Sequence, residues 1–300
     1  MKINLTLCDS LTLYKSGALY MKRALVTLSL CLSFALSNSA NAERARIISA
    51  GGSITEILFE LGMGDDIVAV DTSSFYPYEA SKLPKVGYFR SLGAEGLLSL
   101  NPDTLIAAKG AGPQAVLDQV ASLGVEVKTY QQATYTFDAW KELINELGDD
   151  YSKQDEARAL IDRVSENLDI NIAKRNFEDQ GVNAIALLSI GQRGPVAAGQ
   201  NTVPSLLFKL AGIKNIAHEL DGYKPFSAEL LAKESVDIVF LPSHVVDGLG
   251  GVDAVCVNQL LKLAMPKECR VEVIDGLLLM GFGARLDQAV GQIVNLANAL

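Results

Sequence analysis

The feature that most constrains the fold is a stretch from about Ser152 to Phe177 that neither glycine nor proline interrupts. In it Ala157, Leu160, Ile161, Val164, Leu168 and Ile172 recur at spacings of three and four, and Glu, Asp, Arg, Lys and Asn fill the other side. That is the pattern of one long amphipathic helix. On either side of it the sequence has a different rhythm. Before it, the short apolar runs 46–50, 66–70, 104–108 and 126–130 alternate with helical patterns at 53–62, 94–100 and 114–123. After it, strand-like runs at 183–189, 238–241 and 271–274 alternate with helical patterns at 203–211, 228–232 and 286–300. Such alternation builds a parallel sheet covered on both faces. The expected fold is therefore α/β: two parallel-sheet lobes, residues 43–150 and 179–300, joined by a single long α-helix over 151–178. The ligand cleft is expected between the lobes, outside the carboxyl ends of the strands, where open α/β sheets place their sites.

Residues 1–42 are read as an export signal and not as part of the fold. From Met21 the chain runs Met-Lys-Arg, then the uncharged apolar stretch Ala24–Leu36, then Ser-Asn-Ser-Ala-Asn-Ala42. A basic start, a short apolar core and a small-residue exit define a secretory signal, with cleavage expected after Ala42 and the start expected at Met21. The apolar core is too short to span a bilayer, and the bulky residue before Cys31 does not suit a lipoprotein signal. The protein is expected in the periplasm, unanchored and monomeric. Loss of the signal removes four basic residues and one acid from the 26 and 35 of the whole chain, leaving 22 and 34 and a net charge of −12. So acidic a surface argues against nucleic acid or an anionic membrane as partner. Cys256 and Cys269 are the two cysteines left. In an oxidising compartment they suit a disulfide, and two small buried apolar side chains are the other reading.

The run Leu83-Pro-Lys-Val-Gly-Tyr-Phe-Arg90 puts a tyrosine and an arginine two apart after a glycine, and Glu95 follows at the opening of a short helix. Together with the signal segment, Ser-Ala-Gly-Gly-Ser-Ile-Thr-Glu-Ile57, Asn-Pro-Asp103, the central helix and Gly-Phe-Gly-Ala-Arg285, this run resembles periplasmic haem-binding proteins of haem ABC importers. They belong to the helix-linked class of substrate-binding proteins that also carries ferric siderophores and cobalamin. The resemblance covers essentially residues 45–300. It implies no catalysis: such a protein captures ferric haem and hands it to an inner-membrane permease with its ATPase, downstream of an outer-membrane haem receptor. It also implies that Tyr88 is the axial ligand of the haem iron. A phenolate is a hard anionic donor suited to ferric iron. Because a free phenol ionises only near pH ~10, a neighbouring cation must help. Arg90 fills that role if the run is extended, since residues two apart on a strand share a face. Some relatives add a histidine from the other lobe, in the segment that here reads Leu188-Ser-Ile-Gly-Gln-Arg-Gly-Pro-Val-Ala-Ala-Gly199 and contains none. A five-coordinate iron, or a weaker contact from Gln192 or Arg193, is expected instead; Arg193 also suits a haem propionate. Tyr76, Tyr78, Tyr223 and Phe226 are candidate cleft walls. The class presents one glutamate at the tip of each lobe to permease arginines, and these fall on Glu95 and Glu229.

Other readings have less support. An exported hydrolase would have to use His218 or His244 as its base, and no Gly-x-Ser-x-Gly elbow, phosphate loop or His-Glu-x-x-His helix accompanies them. A free-metal carrier would want more convergent histidines and carboxylates than the two histidines allow. Cobalamin or a ferric siderophore is the alternative cargo within the class. Anionic siderophores call for a basic cleft, for which Arg90, Arg193 and Arg285 are the available residues, and cobalamin needs no tyrosine ligand.

Overall fold

Four of the apolar runs become strands β1 (Ile47–Ala50), β2 (Ile67–Val70), β3 (Thr104–Ala108) and β4 (Glu126–Tyr130). They form an all-parallel sheet in the order β2-β1-β3-β4. The structure is a computed structural model describing residues 44–179, 181–191, 194–226, 235–265 and 268–300. The export segment 1–42, Gln192, Arg193, Glu229 and the expected helix 228–232 lie outside the described residues. Helices α1 (Gly52–Glu60), α2 (Ala94–Leu98) and α3 (Gln114–Ser122) connect the first strands. Because side chains alternate along a strand, Ile48 and Leu105 enter one core with Leu97 and Val120, while Ile47 and Ile106 enter another with Ile57 and Leu58.

The second sheet departs from expectation. Strands β5 (Asn183–Gly191), β6 (Gly194–Ala198), β7 (Lys214–Asn215), β8 (Tyr223–Pro225), β9 (Ile238–Pro242) and β10 (Val271–Ile274) form a mixed sheet, not a parallel one. Its order is β10-β9-β5-β6-β8, with β7 also on β5. The first residues of β5 pair in parallel with β7 and β9. Its later residues turn back on β6, Gly191 opposite Gly194, and β8 extends this antiparallel half. The reversal is accommodated at Gly194, whose φ of 90° is a conformation that favours glycine.

The long helix is present and slightly shorter than expected. Helix α4 (Phe137–Asp150), capped by the Thr136 side chain, precedes α5 (Gln154–Ala173). At 20 residues α5 is about 30 Å long. It buries Ala157, Leu160, Val164 and Leu168, four of the six residues on the apolar face read from the sequence. After α6 (Val203–Ala211), the chain ends on α7 (Leu286–Ala297), which packs against α5. Asn171 Nδ2 donates to the Asp287 carbonyl at 2.9 Å, and a Cβ at Gly291 would come within 2.7 Å of that nitrogen. Cys256 and Cys269 form a disulfide.

One hydrophobic core runs through the molecule from Ile57 and Trp140 on the first-sheet side, past Leu160 and Val164 of α5, to Phe208 and Ile293 on the second-sheet side. Trp140 is fully buried and its indole N–H donates to the Gly283 carbonyl at 2.8 Å.

Candidate functional site

The carboxyl ends of β1, β2 and β3 meet at Gly51 and Gly52. A Cβ at Gly51 would lie 2.5 Å from that of Ala108, and one at Gly52 would lie 2.6 Å from the Ser73 carbonyl oxygen and 2.7 Å from Leu277. These two glycines let the strand ends approach each other and let the segment after β10 close over them. Above them lies a cleft of about 680 Å³.

One wall of the cleft is the run singled out in the sequence. Tyr88, Phe89 and Arg90 all line it, with Phe75 beside them. Tyr88 is 45% exposed, and its ring meets that of Phe89 edge-on at 4.9 Å. The extended geometry expected of the run stops at Tyr88, because Phe89–Ser91 is a 3-10 turn. The rule that residues two apart share a face therefore does not apply to Tyr88 and Arg90. The Arg90 guanidinium instead lies over the Phe89 ring, 4.9 Å from its centre, and packs on Gly110, where a Cβ would be 2.9 Å from Nη1. Both side chains nevertheless face the same cleft.

Tyr223, His244 and Leu188 come from the second-sheet side, and Leu277, Met280 and Phe282 from the segment after β10. Burial raises the Tyr223 phenol above the ordinary tyrosine range, Tyr135 adds to this and the positive charge of Arg90 opposes it. Tyr223 is still 37% exposed. His244 stands where Gly276 leaves it room, since a Cβ there would be 2.7 Å from Nδ1. The sequence points to His244 as a hydrolase base or a free-metal ligand and not as a cleft wall, and it does not single out Lys109, Gln132 and Tyr135, which also line the cleft. Their position just past the ends of β3 and β4 was the available signal.

Several expected wall residues lie elsewhere. Tyr76 is covered by the Arg285 guanidinium, 3.7 Å from the ring centre, and Tyr78 is 68% exposed beneath the Lys82 ammonium. Phe226 is buried in the core on the outer face of the second sheet. Arg285 is committed to Glu56, with Nε donating to Oε1 at 2.9 Å and Nη2 closing a second bond to the same oxygen. Burial pushes the Glu56 carboxyl above its ordinary range, against the pull of Arg285. With Phe282 N–H donating to Ser53 Oγ at 3.2 Å, this pair ties the Gly281–Arg285 segment to α1. Glu95 is exposed in the first turn of α2, away from the cleft. No helix among the described residues is long and apolar enough to cross a membrane.

The chain is similar in structure to the periplasmic heme-binding protein RhuT of Roseiflexus sp. RS-1 in apo form, with a TM-score of 0.77 and 29% identity over 85% of this chain and 98% of that one. It is also similar to the periplasmic heme-binding protein HutB of Vibrio cholerae, with a TM-score of 0.76 and 31% identity over 85% and 99% of the two chains. In sequence it is similar to the vitamin B12-binding protein of Pectobacterium carotovorum, 29% identical over 184 residues. That match spans 60% of this chain and 64% of the length of the relative. The profile of the periplasmic binding protein family matches residues 47–261, and the chain belongs to that family.

Proposed function

We propose that this protein is exported to the periplasm, captures ferric haem in the cleft and delivers it to an inner-membrane ABC permease. The observation that carries the reading is Tyr88: a half-exposed phenol on the wall of a cleft lined by aromatic and aliphatic side chains, in a chain shaped like RhuT and HutB. A porphyrin needs flat apolar walls and one hard donor for its ferric iron, and the cleft has both. In this reading Tyr88 ligates the iron and Arg90 supplies positive charge on the same wall. Gln192 and Arg193 contact the distal side or a propionate. Glu95 and Glu229 dock the loaded protein on the permease. Residues 1–42 are removed on export.

Cobalamin is the second reading, favoured by the similarity to the vitamin B12-binding protein of Pectobacterium carotovorum. Equilibrium dialysis of residues 43–300 against ferric haem and against cyanocobalamin separates the two. The haem reading predicts saturable haem binding at least about 100-fold tighter than cobalamin, a difference of some 2.7 kcal/mol. Tighter binding of cobalamin would keep the fold and docking arguments and return Tyr88 to a wall aromatic.

A further inference from the structure

Asp71, the residue just past β2, is 0% exposed. Its carboxylate is used entirely as an acceptor. Oδ1 accepts from the Gly51 N–H at 2.9 Å and from Ser74 Oγ at 2.6 Å. Oδ2 accepts from the Ser73 N–H at 2.9 Å, from Ser73 Oγ at 2.7 Å and from the Phe89 N–H at 3.3 Å. No ion pair to a described residue accompanies these bonds. The hydroxyls continue inward, Ser74 Oγ lying 2.7 Å from Thr55 Oγ1, which lies 2.7 Å from Ser49 Oγ. Lys85 Nζ closes the outer side by donating to the Ser74 and Ala80 carbonyls at 2.9 and 3.0 Å.

What this hub holds in place is the peptide on each side of Tyr88. The Phe89 N–H belongs to the peptide that follows Tyr88, and Asp71 accepts from it. The Gly87 carbonyl belongs to the peptide that precedes Tyr88, and the Thr72 N–H donates to it at 2.8 Å. Two neighbouring residues at one strand end thus fix both backbone torsions of Tyr88, which sits at φ −82° and ψ 134°. The side chain has no such anchor of its own. Tyr88 is 45% exposed and its hydroxyl has no hydrogen-bond partner among the described residues. The backbone therefore sets the Cα–Cβ bond from which the phenol leaves toward the cleft, and the backbone is held from Asp71 and its neighbour Thr72.

We propose that Asp71 is the positioning residue for the ligand tyrosine: its buried carboxylate aims Tyr88 at the iron without touching the haem. The proposal rests on the haem-ligation reading of Tyr88. It also accounts for the acid at this position. Asparagine has the same shape, yet its amide nitrogen would face N–H and O–H donors and leave at least one of them unpaired in the interior.

The test is a double-mutant cycle on residues 43–300, with ferric haem as the probe and variants Asp71→Asn, Tyr88→Phe and the pair. Asp71→Asn is expected to weaken haem binding about tenfold, as loss of an outer-shell partner of a metal ligand does, and to shift the phenolate-to-iron charge-transfer band of the saturated protein. In the Tyr88→Phe background the same substitution should change affinity by less than about twofold. Ser74→Ala, which removes the hydroxyl's bonds to Asp71 and Thr55 and no charge, should act in the same direction and more weakly, and it serves if Asp71→Asn does not fold. Equal losses in both backgrounds, or an unmoved charge-transfer band, would make Asp71 a purely structural acid and overturn the positioning role alone. An unchanged affinity for Tyr88→Phe by itself would overturn the ligation reading beneath it.

Discussion

One buried acid, Glu56, lies where the regions of the two sheets are tied together. Glu56 is 3% exposed, and Arg285 holds it through two hydrogen bonds while covering the Tyr76 ring. Burial outweighs that help, so the folded-state carboxyl titrates above its ordinary value. The sign of the linkage follows. A carboxyl whose folded pKa is raised binds protons more readily in the folded state, so its contribution to stability is fully present below the unfolded value of 4.5 and is lost as pH rises through the folded value. Glu56→Gln removes that dependence. The urea midpoint of the wild type relative to Glu56→Gln should therefore rise as pH is lowered from 7 towards 4. A difference that stays flat or falls would show that Arg285 more than offsets the burial of Glu56. At this scale Tyr88 and Arg90 were legible because their residue types and spacing carry chemistry. Asp71 was not legible, because an acid after a strand shows its role only when the donors around it are in place.

Among the elements, α5 was the most legible, since its apolar period is long and uninterrupted. Helix α4 is also written in the sequence, as Phe137, Trp140, Leu143, Ile144 and Leu147 recur at three and four, beside the longer and more conspicuous pattern of α5. The β5–β6 hairpin was missed for a different reason. The sequence between its strands carries candidate ligand contacts, and Pro195 sits at the start of the returning strand. Helix α2 carries the element-scale prediction. Glu95 is exposed in its first turn, where an acid also gains some ~0.3–1 kcal/mol from the helix dipole. In the docking role its loss should be far larger in transport than in stability. Glu95→Ala combined with Glu229→Ala is expected to keep haem affinity and abolish uptake into vesicles containing the permease and its ATPase. Undiminished uptake would leave the helix dipole as the whole reason for Glu95.

At the scale of the molecule, the shared core and the Gly281–Arg285 tie oppose wide opening. Trp140 bonded to Gly283, Phe282 bonded to Ser53 and Arg285 bonded to Glu56 all cross between the regions of the two sheets. Breaking such a set would strand a buried carbonyl and a buried charge, each costly alone. A cleft held this way favours a rigid, flat cargo that enters between fixed walls, and it places on Tyr88 the task of retaining that cargo. The most direct measurement is a visible absorption titration of residues 43–300 with ferric haem, run beside Tyr88→Ala. The account predicts a saturable, shifted Soret band with the charge-transfer feature of phenolate-bound ferric iron, and an affinity loss in Tyr88→Ala of at least about 100-fold. An affinity in Tyr88→Ala within about twofold of the wild type, with an unaltered spectrum, would contradict it.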